Sequence, residues 1–239
     1  MSRRIEGKQA LRYGALVVLV GLQGALGWYM VASGLVDRPD VSHYRLTSHL
    51  GLAVILFSIL VWFGLEALRA PTDNWGVPVS ATLRYASWGA VVLVYVLILS
   101  GGFVAGLDAG FDYNTFPKMD GHWLPPGLFP ENPFDSIVTV QFVHRWFGVV
   151  VAAYIVLLWG IARDTRLPEE ARPRYTALLF MIAVQGALGL GTLLMVVPVS
   201  LAALHQAGAL VLLVLAIMAA HGVTFARVQP PPGIHVLPA

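Results

Sequence analysis

Gln23-Gly24-Ala25-Leu26-Gly27 recurs, residue for residue, as Gln185-Gly186-Ala187-Leu188-Gly189. Each copy lies inside a long apolar run. Each is followed by a histidine near the start of the next run, His49 after the first and His205 after the second. The repeated unit is therefore a pair of helices. A helix needs roughly 20 apolar residues to cross a bilayer. Six segments of this 239-residue chain qualify, at about 11–33, 46–68, 85–107, 136–162, 175–197 and 199–224. With 57% hydrophobic and 12% charged residues, the chain reads as an all-α polytopic membrane protein with six transmembrane helices. No segment reads as a cleavable signal peptide. Arg3, Arg4, Lys8 and Arg12 lead into a full-length span that contains Trp28 and Tyr29.

Charge sets the orientation. The N-terminal segment, the connection after the second span, the connection after the fourth and the C-terminal tail hold eleven of the fifteen Lys and Arg. Positive residues stay on the cytoplasmic side, so both termini are expected inside. The second, fourth and sixth helices then all run inward. His49, His144 and His205 fall in the first third of those helices, at one depth in the outer half of the membrane. The formal net charge of +2 is no nucleic-acid footprint, and with no cysteine there is no disulfide, iron–sulfur cluster or thiolate metal site. The motifs of P-loop, zincin and serine-hydrolase enzymes are absent as well.

An ionisable residue inside an apolar helix is costly and usually faces a bundle interior or cavity. His144 and Arg145 are such residues. His144 reads either as a histidine bonded to a neighbouring helix or as a haem or metal ligand. Arg145 would pair with a propionate or reach the outer interface. His205 is followed by Gln206 and flanked by Ala202, Ala203, Ala207 and Gly208, small residues that admit a flat macrocycle or plain helix packing. Two histidines on two helices of one bundle could clamp a haem. His49 has no obvious partner in its own half; His43 is a poor candidate, and His221 lies about 24 Å along the helix from His205. Gln23 and Gln185 are buried amides that would bond across helices or orient a ligand histidine. Gly21, Gly24, Gly27, Gly186, Gly189 and Gly191 serve close helix packing before they serve direct cofactor contact. The long connection at about 108–135 carries five acids, one Lys and many Pro, Gly and aromatic residues. It is expected to form an ordered outer cap, either structural or a functional lid.

Several stretches together resemble the haem A synthase family in its cysteine-free form: Gln23 to Val31 with Ser33-Gly34-Leu35, Gly102 to Leu107, Tyr113-Asn114-Thr115-Phe116-Pro117, Gln141-Phe142-Val143-His144-Arg145 and His205-Gln206-Ala207. They occur in the family's order from about Gly21 to His221. The resemblance implies an enzyme that oxidises the C8 methyl of haem O to a formyl group, giving haem A for cytochrome oxidase. It implies haem b held by His144 and His205 as axial ligands, with Arg145 and Gln206 as candidate haem contacts. It implies His49 as one axial ligand of the substrate haem O. The family's other substrate-haem histidine and its catalytic glutamate belong to a helix preceding the first span here, so no catalytic residue is identified in this chain.

On that reading residues 1–70 are the remnant of an N-terminal substrate half. Residues 71–239 form one complete four-helix haem-binding bundle with its outer loop, and the chain is expected to be an N-terminally truncated copy. The alternative is a non-catalytic bis-histidine haem-binding or electron-transfer membrane protein; a haem-free assembly partner leaves three level histidines unexplained. Expected partners are membrane lipid, haem O synthase or cytochrome oxidase assembly factors, and a second copy in a homo-oligomer. The expected location is the bacterial cytoplasmic membrane, with the mitochondrial inner membrane as the alternative.

Overall fold

The computed structural model describes residues 7–32, 40–68, 77–225 and 227–228. Six long helices follow the six apolar segments: α1 (Gly7–Val31), α2 (His43–Leu68), α3 (Ala81–Gly106), α4 (Ile137–Asp164), α5 (Arg172–Leu194) and α6 (Val199–Phe225). Each is long and apolar enough to cross a membrane, and the chain is a multi-pass membrane protein. The expected boundaries hold to within a few residues. α5 begins three residues earlier than the apolar run suggests, because a proline occupies its first turn, where a missing N–H costs nothing.

α5 also ends early, for a different reason. The N–H groups of Met195, Val196 and Val197 fold back onto the carbonyls of Gly191, Leu193 and Thr192 at 3.1, 3.2 and 2.8 Å. These bonds satisfy carbonyls the helix end would otherwise leave bare. Val196 and Val197 adopt φ of 59° and 55°, a left-handed backbone that β-branched residues rarely accept. The connection to α6 is therefore a tight, strained return at residues 195–198. It fixes the depth of α6 against α5.

α3, α4, α5 and α6 close into a ring: α3 packs on α4 and α6, and α5 packs on α4 and α6. The interior holds Leu83, Val94, Val151, Ile155, Leu178, Leu212 and Leu213, all essentially inaccessible. In lipid, helix association rests on close packing and hydrogen bonds between helices. Both are present here. The Ser87 and Tyr175 hydroxyls bond at 2.8 Å in the buried interior, joining α3 to α5. Tyr154 lies against Gly89, and its hydroxyl donates to the Ala86 carbonyl at 2.8 Å.

α2 packs on α3 and α6, and α1 packs on α2. α1 has no buried residue among its described positions. Three contacts fix it to α2. Arg12 pairs with Glu66 at 2.9 Å at one end. Arg45 donates to the Tyr29 carbonyl at 2.8 Å and stacks on the Tyr29 ring at the other. Gln23 reaches His49 between them. A two-residue antiparallel pairing of Val77–Pro78 with Arg227–Val228 joins the approach to α3 to the residues after α6.

Candidate functional site

His49, His144 and His205 are the seventh, eighth and seventh residues of α2, α4 and α6. They stand level, at the end of the bundle that carries the 108–135 loop. Each rests on a glycine of the preceding helix. A Cβ added at Gly27 would lie 3.0 Å from Cε1 of His49; at Gly101, 3.2 Å from Cε1 of His144; at Gly189, 2.8 Å from Cε1 of His205. These glycines stand four, five and five residues from the ends of α1, α3 and α5. At Gly189 the lack of a side chain is a steric requirement, since real Cβ atoms essentially never approach another atom so closely; at Gly27 and Gly101 a Cβ would fit only if the ring gave way by a few tenths of an ångström.

Each ring is also held by a polar side chain from the same neighbouring helix. In α5, Gln185 stands four residues before Gly189, so both lie on one helical face. Its Nε2 is 3.0 Å from Nδ1 of His205 and donates to the His205 carbonyl at 2.7 Å. Gly208, one turn on from His205, leaves room for that glutamine. In α1, Gln23 and Gly27 repeat the spacing. Nε2 of Gln23 is 3.3 Å from Nε2 of His49 and donates to the His49 carbonyl at 3.1 Å. Nδ1 of His49 and Oε1 of Gln23 are buried without a partner among the described residues.

His144 uses a different holder. Oγ of Ser100 lies 2.8 Å from Nδ1 of His144 and 2.8 Å from the Leu97 carbonyl. The carbonyl can only accept, so the serine hydroxyl donates to it. Ser100 then accepts the proton on Nδ1 of His144. That tautomer leaves Nε2 bare, the state in which imidazole binds a metal. Across the ring interior, His144 and His205 face each other with centroids 6.4 Å apart and planes at 87°.

The 108–135 loop is clamped down beside this pair. Gln141, one turn before Arg145, donates from Nε2 to the carbonyls of Ala109 and Asp112 at 2.7 and 2.6 Å. Arg145 donates from Nη1 to the Thr115 carbonyl at 2.6 Å and from Nη2 to the Tyr113 carbonyl and to Oε1 of Gln141. Its Nε is buried without a partner among the described residues. Asn114 ties the loop to α5 through the Leu193 carbonyl at 2.9 Å, and Thr139 holds the Leu128 carbonyl at 2.8 Å. The loop is an ordered cap whose backbone carbonyls are held by α4 and whose Asn114 amide donates to a carbonyl of α5.

Sequence reasoning named His49, His144, His205 and Arg145; the structure puts each histidine at the seventh or eighth residue of its helix, brings His144 and His205 face to face, and sends Arg145 to the cap carbonyls. Gln206 lies on the exposed side of α6. His43 is bound to Asp135 at 2.8 Å, His122 sits in a turn of the cap, and His221 is buried at the opposite end of α6. His235 falls outside the described residues. Ser100, Gly101 and the loop-holding role of Gln141 were not picked out from sequence. The polar–small pair Ser100-Gly101, five residues before the end of α3, was the available signal.

The fold and site together define a polytopic helical-bundle membrane protein built around oriented, facing histidines. The sequence model of the COX15-CtaA family, described as cytochrome oxidase assembly protein, matches residues 1–217, and the chain belongs to that family. It is 44% identical over 229 residues to a protein of Nitrosospira multiformis named heme A synthase, covering 92% of this chain and 64% of that protein. It is 46% identical over 220 residues to a heme A synthase of Chelativorans sp., covering 89% and 59%. It is 42% identical over 228 residues to heme A synthase COX15 of Bos taurus, covering 91% and 54%. The chain thus spans about three-fifths of the length of the curated relatives it matches.

Proposed function

We propose that residues 71–239 form a haem b bundle with His144 and His205 as axial ligands, serving the oxidation of haem O to haem A. The observation that carries this is the facing pair. Two imidazole–metal bonds of about 2 Å each, with a ring radius of about 1 Å on either side, span about 6 Å. The rings stand 6.4 Å apart. Haem iron would supply electron transfer. The chain's own residues supply ligands and their orientation. Ser100 keeps the proton of His144 on Nδ1. Gln185 fixes His205 in place through its Nε2, which lies 3.0 Å from Nδ1 and donates to the His205 carbonyl at 2.7 Å. Arg145 keeps the cap closed, and its unpartnered Nε is a donor for a propionate. Gln206 remains a candidate contact on the rim.

His49, held by Gln23 and seated on Gly27, is the proposed ligand of the substrate haem O within residues 1–70. Orphaned Nδ1 supports this, because a buried nitrogen without a partner is costly unless a ligand supplies one. A second reading is a non-catalytic bis-histidine haem protein. It is favoured by one feature: α1 contains no Asp or Glu, and the sole acid of α2, Glu66, is paired with Arg12 at the far end. Location in a bacterial cytoplasmic membrane and contact with haem O synthase or oxidase assembly factors belong to the same proposal.

Membranes containing the chain and supplied with haem O separate the readings. Haem A formation that disappears in His49→Ala supports the oxidoreductase. Haem b retained with no conversion supports the second reading. Haem content unchanged in both His144→Ala and His205→Ala overturns the ligand assignment common to both.

A further inference from the structure

α4 and α5 pack on each other and complete the ring through α3 and α6, while α2 packs on α3 and α6 from outside. The seam between α4 and α5 therefore lies across the ring from α1 and α2. One bond fixes which residues line it. Nε1 of Trp159 donates to Oγ1 of Thr176 at 3.4 Å, longer than most hydrogen bonds of this kind. Arg163 stands one turn after Trp159 and Arg172 one turn before Thr176, and residues four apart share a helix face. α4 ends and α5 begins at the end of the bundle away from the cap. The two arginines thus flank one mouth of the seam.

The seam changes character along its length. At its mouth Arg163 and Arg172 are exposed, and the Arg163 guanidinium lies over the Trp159 ring, 4.8 Å from its centroid. One turn beyond the Trp159–Thr176 bond, on the same two faces, Val156 and Phe180 are exposed. Asp164, Glu169 and Glu170 are close by in sequence. Among the described residues, however, no carboxylate comes within 4 Å of Arg163 or Arg172. Two guanidiniums, then an indole, then apolar side chains on membrane-spanning helices match the parts of one lipid in order. Arginine recognises phosphate through paired N–H donors. Indole rings sit at headgroup level, and basic pockets between spans take anionic headgroups.

We infer that the α4–α5 seam binds one anionic phospholipid, its phosphodiester held between Arg163 and Arg172 and an acyl chain laid past Trp159 along Val156 and Phe180. A soluble anion would leave the apolar stretch unused, and a zwitterionic lipid would leave the arginines without net countercharge. Loop charge places this end of the bundle at the cytoplasmic face, so the lipid belongs to the inner leaflet. Bound there, it braces α4 against α5 where their own hydrogen bond is long. The site is independent of what the histidines hold.

Full-length chain is purified in a neutral detergent and titrated with phosphatidylglycerol or phosphatidylcholine of identical acyl chains. Native mass spectrometry counts the lipid-bound species. One phosphatidylglycerol should bind at least about tenfold more tightly than phosphatidylcholine, and Arg163→Gln and Arg172→Gln should each cut that preference by about fivefold. The preference is a ratio taken within one sample, so it does not depend on the fraction of chain that is folded. Arg84→Gln, which removes a charge at the same end of α3, should leave it unchanged. Inorganic phosphate at equal concentration should not displace the lipid. Equal affinity for the two lipids, a preference unmoved in both seam variants, the same loss in Arg84→Gln, or displacement by phosphate would each overturn the inference.

Discussion

The hairpins α1–α2 and α5–α6 contain the same Gln-Gly-Ala-Leu-Gly and treat their histidines almost alike, yet their surroundings differ. α6 and α5 are built into a closed ring with α3 and α4, and His205 looks across it at His144. α1 touches α2 and has no buried residue among its described positions, and Nδ1 of His49 is buried without a partner among the described residues. The difference shows that the five-residue repeat encodes a holder for one imidazole. Pairing is a property of how two holders pack. A histidine alone in a membrane helix is costly, and the holder makes it affordable by supplying a glycine seat and a hydrogen bond.

The comparison can be broken first at the ligands. On the proposed ligation, His144→Ala or His205→Ala removes an iron bond and should reduce haem at the ring site by at least about tenfold, whereas His49→Ala should leave that site full. Pyridine haemochrome content per chain reads the result. Next come the seats. Gly189→Leu should displace the His205 ring and lose haem nearly as severely, because even a Cβ there would meet Cε1 at 2.8 Å. Gly186→Ala, three residues away with nothing within 4 Å, is the control and should change nothing. Gly27→Leu should leave the ring site intact.

The holders should matter less than the ligands they orient. Gln185→Leu is expected to weaken haem retention at the ring by about 10–100-fold, the usual cost of losing an orienting partner. Titration with an apo-globin competitor measures it; equal retention in Gln185→Leu and wild type would remove the holder from the account. Smallest is the cap. Gln141→Leu removes a buried bond to the Ala109 carbonyl and a partly buried one to the Asp112 carbonyl, at about 1–3 kcal/mol of stability. It should expose residues 112–116 to limited proteolysis while haem stays bound.

The spans and the common depth of three histidines were legible in the sequence, because apolar length and loop charge report them directly. So was the bonding of Gln23 and Gln185 across helices, expected of buried amides and seen at the carbonyls of His49 and His205. The third hairpin was hidden. Its holder is Ser100, adjacent to Gly101 instead of four residues before it, so α3 does not match the repeat although it performs the same task. The early end of α5 was hidden too: Val196 and Val197 accept a left-handed backbone that their side chains argue against. The cap was visible as an ordered loop. Its attachment through Gln141 and Arg145 depends on carbonyl positions that only the folded chain brings within reach.

Replacing one ligand by another that iron also accepts tests the facing pair most directly. In purified His205→Met, the ring site should retain its haem, show histidine–methionine ligation in its near-infrared spectrum, and have a raised reduction potential, as thioether ligation does in cytochromes c. Full haem occupancy with spectrum and potential identical to wild type would mean that His205 does not bind the iron, and the account of the ring would be wrong.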